Sequence, residues 1–331
     1  MAEPSTALSR ADVLAAPARG GGRGSEPTPQ RSQGDSPHRS GRAHRRPTPP
    51  TWWGFAPFVA FLSAFFLLPC ALVLLTAFQR ADPTTGVTAF SLQNWVDSLT
   101  GIYRTGLLNS LQLALVTAVV SAVAGLLIAW QICGLRSTFV RQAVSSSSAV
   151  LANFGGLPLA FLFVAVLGTA GVLTTALHSW FGVNLDDLHF SLYSLKGVEL
   201  VYLYFLIPLM VLVITPALEG IRPQWREAAA SLGARPWQYW RLVVAPVLAP
   251  SLLGSLLLLF CSSLSAFATA SALTNGTLAI TPLQIDTAVS GNVLVGQDNL
   301  AAALALNMIL IVVPLTLAYQ ALQRRTSRWL R

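Results

Sequence analysis

The chain has 331 residues, of which 53% are hydrophobic and only 10% charged, with a formal net charge of +8. A soluble domain carries roughly 25% charged residues, so this composition excludes an ordinary water-soluble globule and places the chain in a bilayer. The positive excess does not point to nucleic acid, because the basic residues flank apolar stretches instead of gathering on one face.

In chain order, the first fifty residues hold eight of the twenty prolines and no aromatic residue, too little apolar surface to offset the entropy of ordering them. The prediction is a disordered, basic, cytoplasmic tail over 1–52 and a membrane domain over 53–331. A cleaved signal peptide would put a short apolar stretch near the start. Here the first apolar block follows fifty polar residues and is too long, so it is expected to remain as a span.

Six apolar blocks follow, at 55–78, 111–135, 145–167, 198–218, 247–273 and 300–322. Each approaches or exceeds the roughly 20 residues a helix needs to cross the hydrocarbon while satisfying its own backbone. The expected fold is therefore an all-α membrane protein with six transmembrane helices. The third block is the most polar, running through Ser145 to Ser148 and on to Asn153-Phe-Gly155-Gly156-Leu-Pro158. Its glycines and proline are expected to loosen the helix, which makes Ser148, Asn153, Gly155 and Gly156 candidates to line a pathway. Close packing by small residues, with hydroxyls bonding back to the helix, accounts for the same pattern. Ser263 and Asn307, in the fifth and sixth blocks, stand under the same two readings.

With six crossings, eighteen of the twenty-one basic residues fall on one side, against Arg80, Arg104 and Lys196 on the other. The positive-inside rule puts both termini of a multi-pass protein in the cytoplasm. The other side carries seven acidic residues. That surplus fits a preference for cationic solute or a docking surface, and follows equally from orientation alone.

Between the fourth and fifth blocks, at about 219–246, lies a basic stretch unlike the other loops: Arg222-Pro-Gln-Trp-Arg226-Glu227-Ala228-Ala229-Ala-Ser231-Leu232-Gly233-Ala-Arg-Pro236 and on to Pro246. The alanines favour a helix with Glu227 in its first turn, Gly233 is placed to stop it, and Pro236 to open the next. Trp225, Ala229 and Leu232 make one narrow apolar face. A short helix with small residues can lie deep in a groove of another protein. Anchoring of Trp225, Trp237, Tyr239 and Trp240 at the headgroups is the blander account of this loop.

This segment resembles the EAA loop of ABC importer permeases: Glu-Ala-Ala, three residues, Gly, nine residues, Ile, one residue, Leu-Pro. Glu227, Ala228, Ala229, Gly233 and Pro246 match in register, while Val243 and Ala245 replace the isoleucine and leucine. The resemblance runs from about Trp52 to the C-terminus, with Asn94-Trp95 and Asn109-Ser110-Leu111 as shorter matches, and is nearest the spermidine/putrescine, iron(III), thiamine and phosphonate branch. It implies the type I importer permease fold and half of a translocation pathway. It also implies a second permease, with a heterodimer favoured over a homodimer, and an extracytoplasmic solute-binding protein. Two ATPase subunits would bind the ATP, so this chain would need no cofactor. Arg226, Glu227, Ala228, Ala229, Ser231, Leu232, Gly233 and Pro246 would couple it to those ATPases.

The single lysine, Lys196, follows Leu195 and precedes Gly197, so no phosphate-cradling loop ending in Gly-Lys-Ser/Thr is present. Cys70, Cys133 and Cys261 stand singly in apolar blocks, and the four histidines lack metal-ligand helical spacing. No metal and no enzymatic activity are expected. The competing reading, an integral membrane enzyme, would use Asp186, Asp187 and His189 as an acid/base cluster.

Overall fold

The computed structural model describes residues 55–81, 88–135, 137–182, 191–290 and 298–327. The expected tail over 1–52 lies outside them. Fourteen α-helices are found among the described residues. They are α1 Ala56–Leu62, α2 Leu68–Ala77, α3 Gln93–Ser98, α4 Gly101–Gly134, α5 Thr138–Asn153, α6 Leu157–Leu167, α7 Val172–Phe181, α8 Leu195–Glu219, α9 Pro223–Ser231, α10 Pro236–Tyr239, α11 Ala245–Ser265, α12 Phe267–Thr274, α13 Thr281–Val289 and α14 Asp298–Ser327. A π-helical turn over Ser63–Leu67 joins α1 to α2, and another over Trp240–Val244 joins α10 to α11. Two short antiparallel strands, β1 Gln79–Ala81 and β2 Thr88–Phe90, pair after α2.

Six stretches among these residues are long and apolar enough to cross a membrane. The second begins at Gly101, ten residues before the block expected at 111–135, because Gly101–Ser110 continues the same helix. The third needs more care. Leu157–Trp180 qualifies by length and composition, yet contacts place the crossing earlier. Near its start, α5 is tied to the end of α8 by Arg141 and Glu219, 3.8 Å apart. Gly168, just after α6, meets the beginning of α8, where an added Cβ would lie 3.4 Å from the Tyr193 hydroxyl. The crossing is thus made by α5 and α6 in series, and the block at 145–167 straddles both.

Helix α8 forms the centre, packed against α4, α5 and α11. Tyr202, Leu206, Met210 and Ile214 recur every four residues along it and are fully buried. Opposite them, α4 presents Ala114, Ala118, Ala122, Gly125 and Ala129, all buried. Lipid tails are as apolar as leucine, so helix association in a bilayer depends on close approach of backbones, which this small-residue stripe permits.

Two of the long helices stop and restart. The break between α5 and α6 falls at Phe154 to Gly156, with Gly156 at φ +78°, a conformation L side chains rarely adopt. The break between α11 and α12 falls at Ala266. Thr269 joins the two, since its hydroxyl accepts from the Gly156 N–H at 2.9 Å. The Tyr202 hydroxyl donates to the Ala266 carbonyl, satisfying the acceptor that the break frees.

At the end of the bundle opposite α9, polar side chains fasten the short helices. Asn307 on α14 accepts from Trp95 Nε1 at 2.8 Å and donates to the Ser98 hydroxyl at 2.8 Å, fixing α3. Asn109 Nδ2 donates to the Ala279 carbonyl at 2.9 Å, and the Ser110 hydroxyl accepts from the Thr281 N–H at 2.8 Å, fixing the start of α13. Asn307→Leu leaves the half-buried Trp95 indole N–H without its acceptor, a cost of about 1 kcal/mol. The expected result is a lower thermal unfolding midpoint for the purified protein in detergent; an unchanged midpoint would remove Asn307 as a structural tie.

Candidate functional site

The segment after α8 leaves the bundle and returns to it. Arg222 is extended and Pro223 occupies the first turn of α9, where a proline sacrifices no helical hydrogen bond. The alanines carry the helix to Ser231. Its end is closed twice: the Gly233 N–H donates to the Ala230 carbonyl at 2.9 Å and the Ala234 N–H to the Ala229 carbonyl at 3.0 Å. This paired closure requires a left-handed residue, and Gly233 supplies φ +75°. Arg235 is extended again, its N–H donating to Gln238 Oε1 at 2.7 Å, and Pro236 opens α10. The stop at Gly233 and restart at Pro236 match the sequence reading. Glu227 does not sit in the first turn, because α9 already begins at Pro223; the helix dipole is therefore not what fixes its place.

No residue of α9 is buried. The loop is held mainly by its flanks. Trp130, near the end of α4, packs on Trp240 with ring centroids 4.3 Å apart. Ile221 and Tyr239 pack against the main core, and Val244 is fully buried. Between α9 and the ends of α4 and α8 lies an open cleft of about 730 Å³.

The cleft divides the predicted coupling residues between two faces. Arg226, Ala229 and Ala230 line it, together with Arg222 before the helix. Glu227, Ala228 and Ser231 do not line it and are exposed, as is Leu232 at 88%. The apolar face expected from Trp225, Ala229 and Leu232 is therefore divided, with Ala229 toward the cleft and Leu232 exposed. Gly233 lies in open space, with nothing within 4 Å of a Cβ built on it. Pro246 is apart from this group, in the first turn of α11, and exposed.

The predicted pathway residues are scattered. Ser148 is buried on α5. Asn153 is exposed and bonds back to the Ala149 carbonyl at 2.8 Å, while Gly155 and Gly156 form the break after it. Ser263 and Asn307 are both buried inside the single chain, Ser263 paired with the Thr117 hydroxyl at 2.8 Å and Asn307 with Trp95 and Ser98. The sequence reading missed Trp130 and the Arg141–Glu219 pair, whose only sequence signal is their position at the ends of apolar blocks.

Asp186, Asp187 and His189 lie outside the described residues. Among the described residues no group of three or more His, Cys, Asp and Glu side chains is placed to hold a metal ion.

Residues 121–328 match the family described as binding-protein-dependent transport system inner membrane component. The probable sulfate transport system permease protein cysT of Helicosporidium sp. subsp. Simulium jonesii is 30% identical over 159 residues, covering 48% of this chain and 56% of that protein. The spermidine/putrescine transport system permease protein PotB of Escherichia coli (strain K12) is 27% identical over 210 residues, covering 63% of this chain and 75% of that protein. The match spans little more than half the length of several of these curated relatives. A bacterial ABC transporter involved in the import of the acidic polysaccharide alginate has a chain with the same fold, at TM-score 0.65 and 18% identity, covering 83% of this chain and 96% of that one.

Proposed function

Because the chain belongs to the family of binding-protein-dependent transport system inner membrane components, we propose that it is the membrane-spanning permease subunit of an ATP-driven importer. It forms half of the translocation route, and a second permease supplies the other half. The basic end of the bundle, with both termini, faces the cytoplasm, where two separate ATPase subunits bind and hydrolyse ATP. A solute-binding protein delivers cargo at the opposite end. ATP-driven approach of the ATPases moves α9, and the bundle alternates between inward-open and outward-open states.

One observation carries this reading. Helix α9 is a capped, regular helix that buries none of its own residues and presents Glu227, Ala228 and Ser231 away from the bundle. Nine residues are too few to stabilise a helix in water by themselves, so a surface built this way suits insertion into a groove of a partner. The Glu-Ala-Ala to Gly233 to Pro246 spacing supports the same partner. The acid/base alternative gains nothing from family membership, since this is a family of transport components.

The solute is a small polar or charged molecule. The relatives' names speak of sulfate and of spermidine/putrescine, ions of opposite charge, so they do not favour the polyamine leaning over an anion.

The test is a crosslink. In a background with Cys70, Cys133 and Cys261 replaced, Leu232→Cys is expected to form an adduct with the co-purified ATPase subunit under a short bifunctional maleimide. Ile102→Cys, exposed at the other end of the bundle, is expected to give none. Labelling of Leu232→Cys solely from the extracytoplasmic side would overturn both the orientation and the coupling role.

A further inference from the structure

The cleft behind α9 is larger and more basic than a packing fault. It holds about 730 Å³, within the range of small-molecule sites. Arg222 and Arg226 line it, and among the described residues neither has an ion-pair or hydrogen-bond partner of its side chain. The acids on that side of the described chain are Glu219, committed to Arg141, and Glu227, on the far face of α9. The remaining wall is apolar, with three aromatic side chains, Trp130, Tyr239 and Trp240, among small and aliphatic residues. The cleft sits where three spans end, at Gly134, at Glu219 and at Pro236, which puts it level with the membrane edge.

Two exposed arginines on the lining of one cavity, with no side-chain partner among the described residues, suit an oxyanion, and phosphate is matched by the planar fork of arginine. Aromatic side chains beside it suit the headgroup level, where an amphipathic ring meets both glycerol and acyl chain. We propose that this cleft binds the phosphate of an anionic phospholipid from the adjacent leaflet, seated between α9 and the ends of α4 and α8. The lipid then neutralises Arg222 and Arg226 and fills the space under α9. The face of α9 carrying Glu227, Ala228 and Ser231 stays free for a protein partner, so the inference stands independently of the ATPase reading.

The experiment uses the full chain purified and reconstituted in nanodiscs of phosphatidylcholine with about 30% phosphatidylglycerol, or of phosphatidylcholine alone. Lipid retained after extraction into mild detergent is counted by native mass spectrometry. Wild type is expected to retain phosphatidylglycerol over phosphatidylcholine. The Arg222→Gln/Arg226→Gln variant is expected to retain it roughly twentyfold less tightly, and each single variant, which keeps the test open if the double fails to assemble, roughly fourfold less. Arg241→Gln, outside the cleft, is the control. Equal retention in the variants and wild type, or an equal loss in the control, overturns the site. Displacement of the lipid by millimolar inorganic phosphate, with the same arginine dependence, overturns the lipid as its occupant and leaves a free-phosphate site instead.

Discussion

Glu227→Lys and Gly233→Asp are each expected to lower ATP-driven uptake at least about a hundredfold while the subunit is still inserted and assembled. The physical basis is that neither substitution threatens the bundle. Glu227 is exposed, and exposed substitutions without special contacts alter stability by about 0.5 kcal/mol or less. Gly233 has open space where a Cβ would go, so its cost is confined to the left-handed backbone, about 1 kcal/mol. What both changes alter is the surface that α9 turns away from the bundle: one reverses a charge, the other adds an acid beside the free carbonyls of the helix end. Uptake of radiolabelled solute in cells, with the variant's membrane level measured by immunoblot, checks this. Normal transport by both variants would remove α9 from the coupling machinery.

Gly125→Leu is expected to destroy the assembly itself. Helices α4 and α8 approach so closely at this point that even a Cβ on residue 125 would lie 2.6 Å from the Met210 Cβ and 3.0 Å from the Ile207 carbonyl oxygen. The second of these is backbone and cannot rotate away. Overpacking of a tight core costs about 1–3 kcal/mol, and a clash against backbone at the central helix pair lies at the upper end or beyond. Gly134→Leu, at the end of the same helix where nothing lies within 4 Å of an added Cβ, is the matched control and is expected to fold. Size-exclusion chromatography in detergent should show a single symmetric peak for the control and aggregate for Gly125→Leu. A well-folded Gly125→Leu protein would mean that α4 and α8 do not meet there.

Much of this was legible in the sequence because hydropathy and punctuation are local. The six apolar blocks mark the spans, since a crossing helix must be apolar over its length. The stop at Gly233 and the restart at Pro236 follow from residues whose backbone freedom is intrinsic. What was illegible depends on pairing across the fold. Whether Gly155 and Gly156 merely loosen a helix or end it is decided by Thr269, 113 residues away, which bonds to the freed Gly156 N–H. The lining and packing readings of Ser263 and Asn307 could not be separated for a similar reason: a lone polar residue in an apolar block looks the same whether it faces solute or a partner such as Thr117 or Trp95. Composition also could not divide Arg226 and Ala229 from Glu227 and Ala228. Only the position of α9 above the ends of α4 and α8 assigns one pair to the cleft and the other to the outside.

The interruption at Ala266 bears on how force travels. A rod transmits a push along its axis only as far as it remains unbroken, and the helix leading from the loop of α9 and α10 through Val244 and α11 ends at Ser265. Beyond that point the load passes sideways, through the Tyr202 hydroxyl into α8 and through Thr269 into the start of α6. A stroke delivered at the loop would thus be shared among three helices, turning a thrust on one into a concerted tilt.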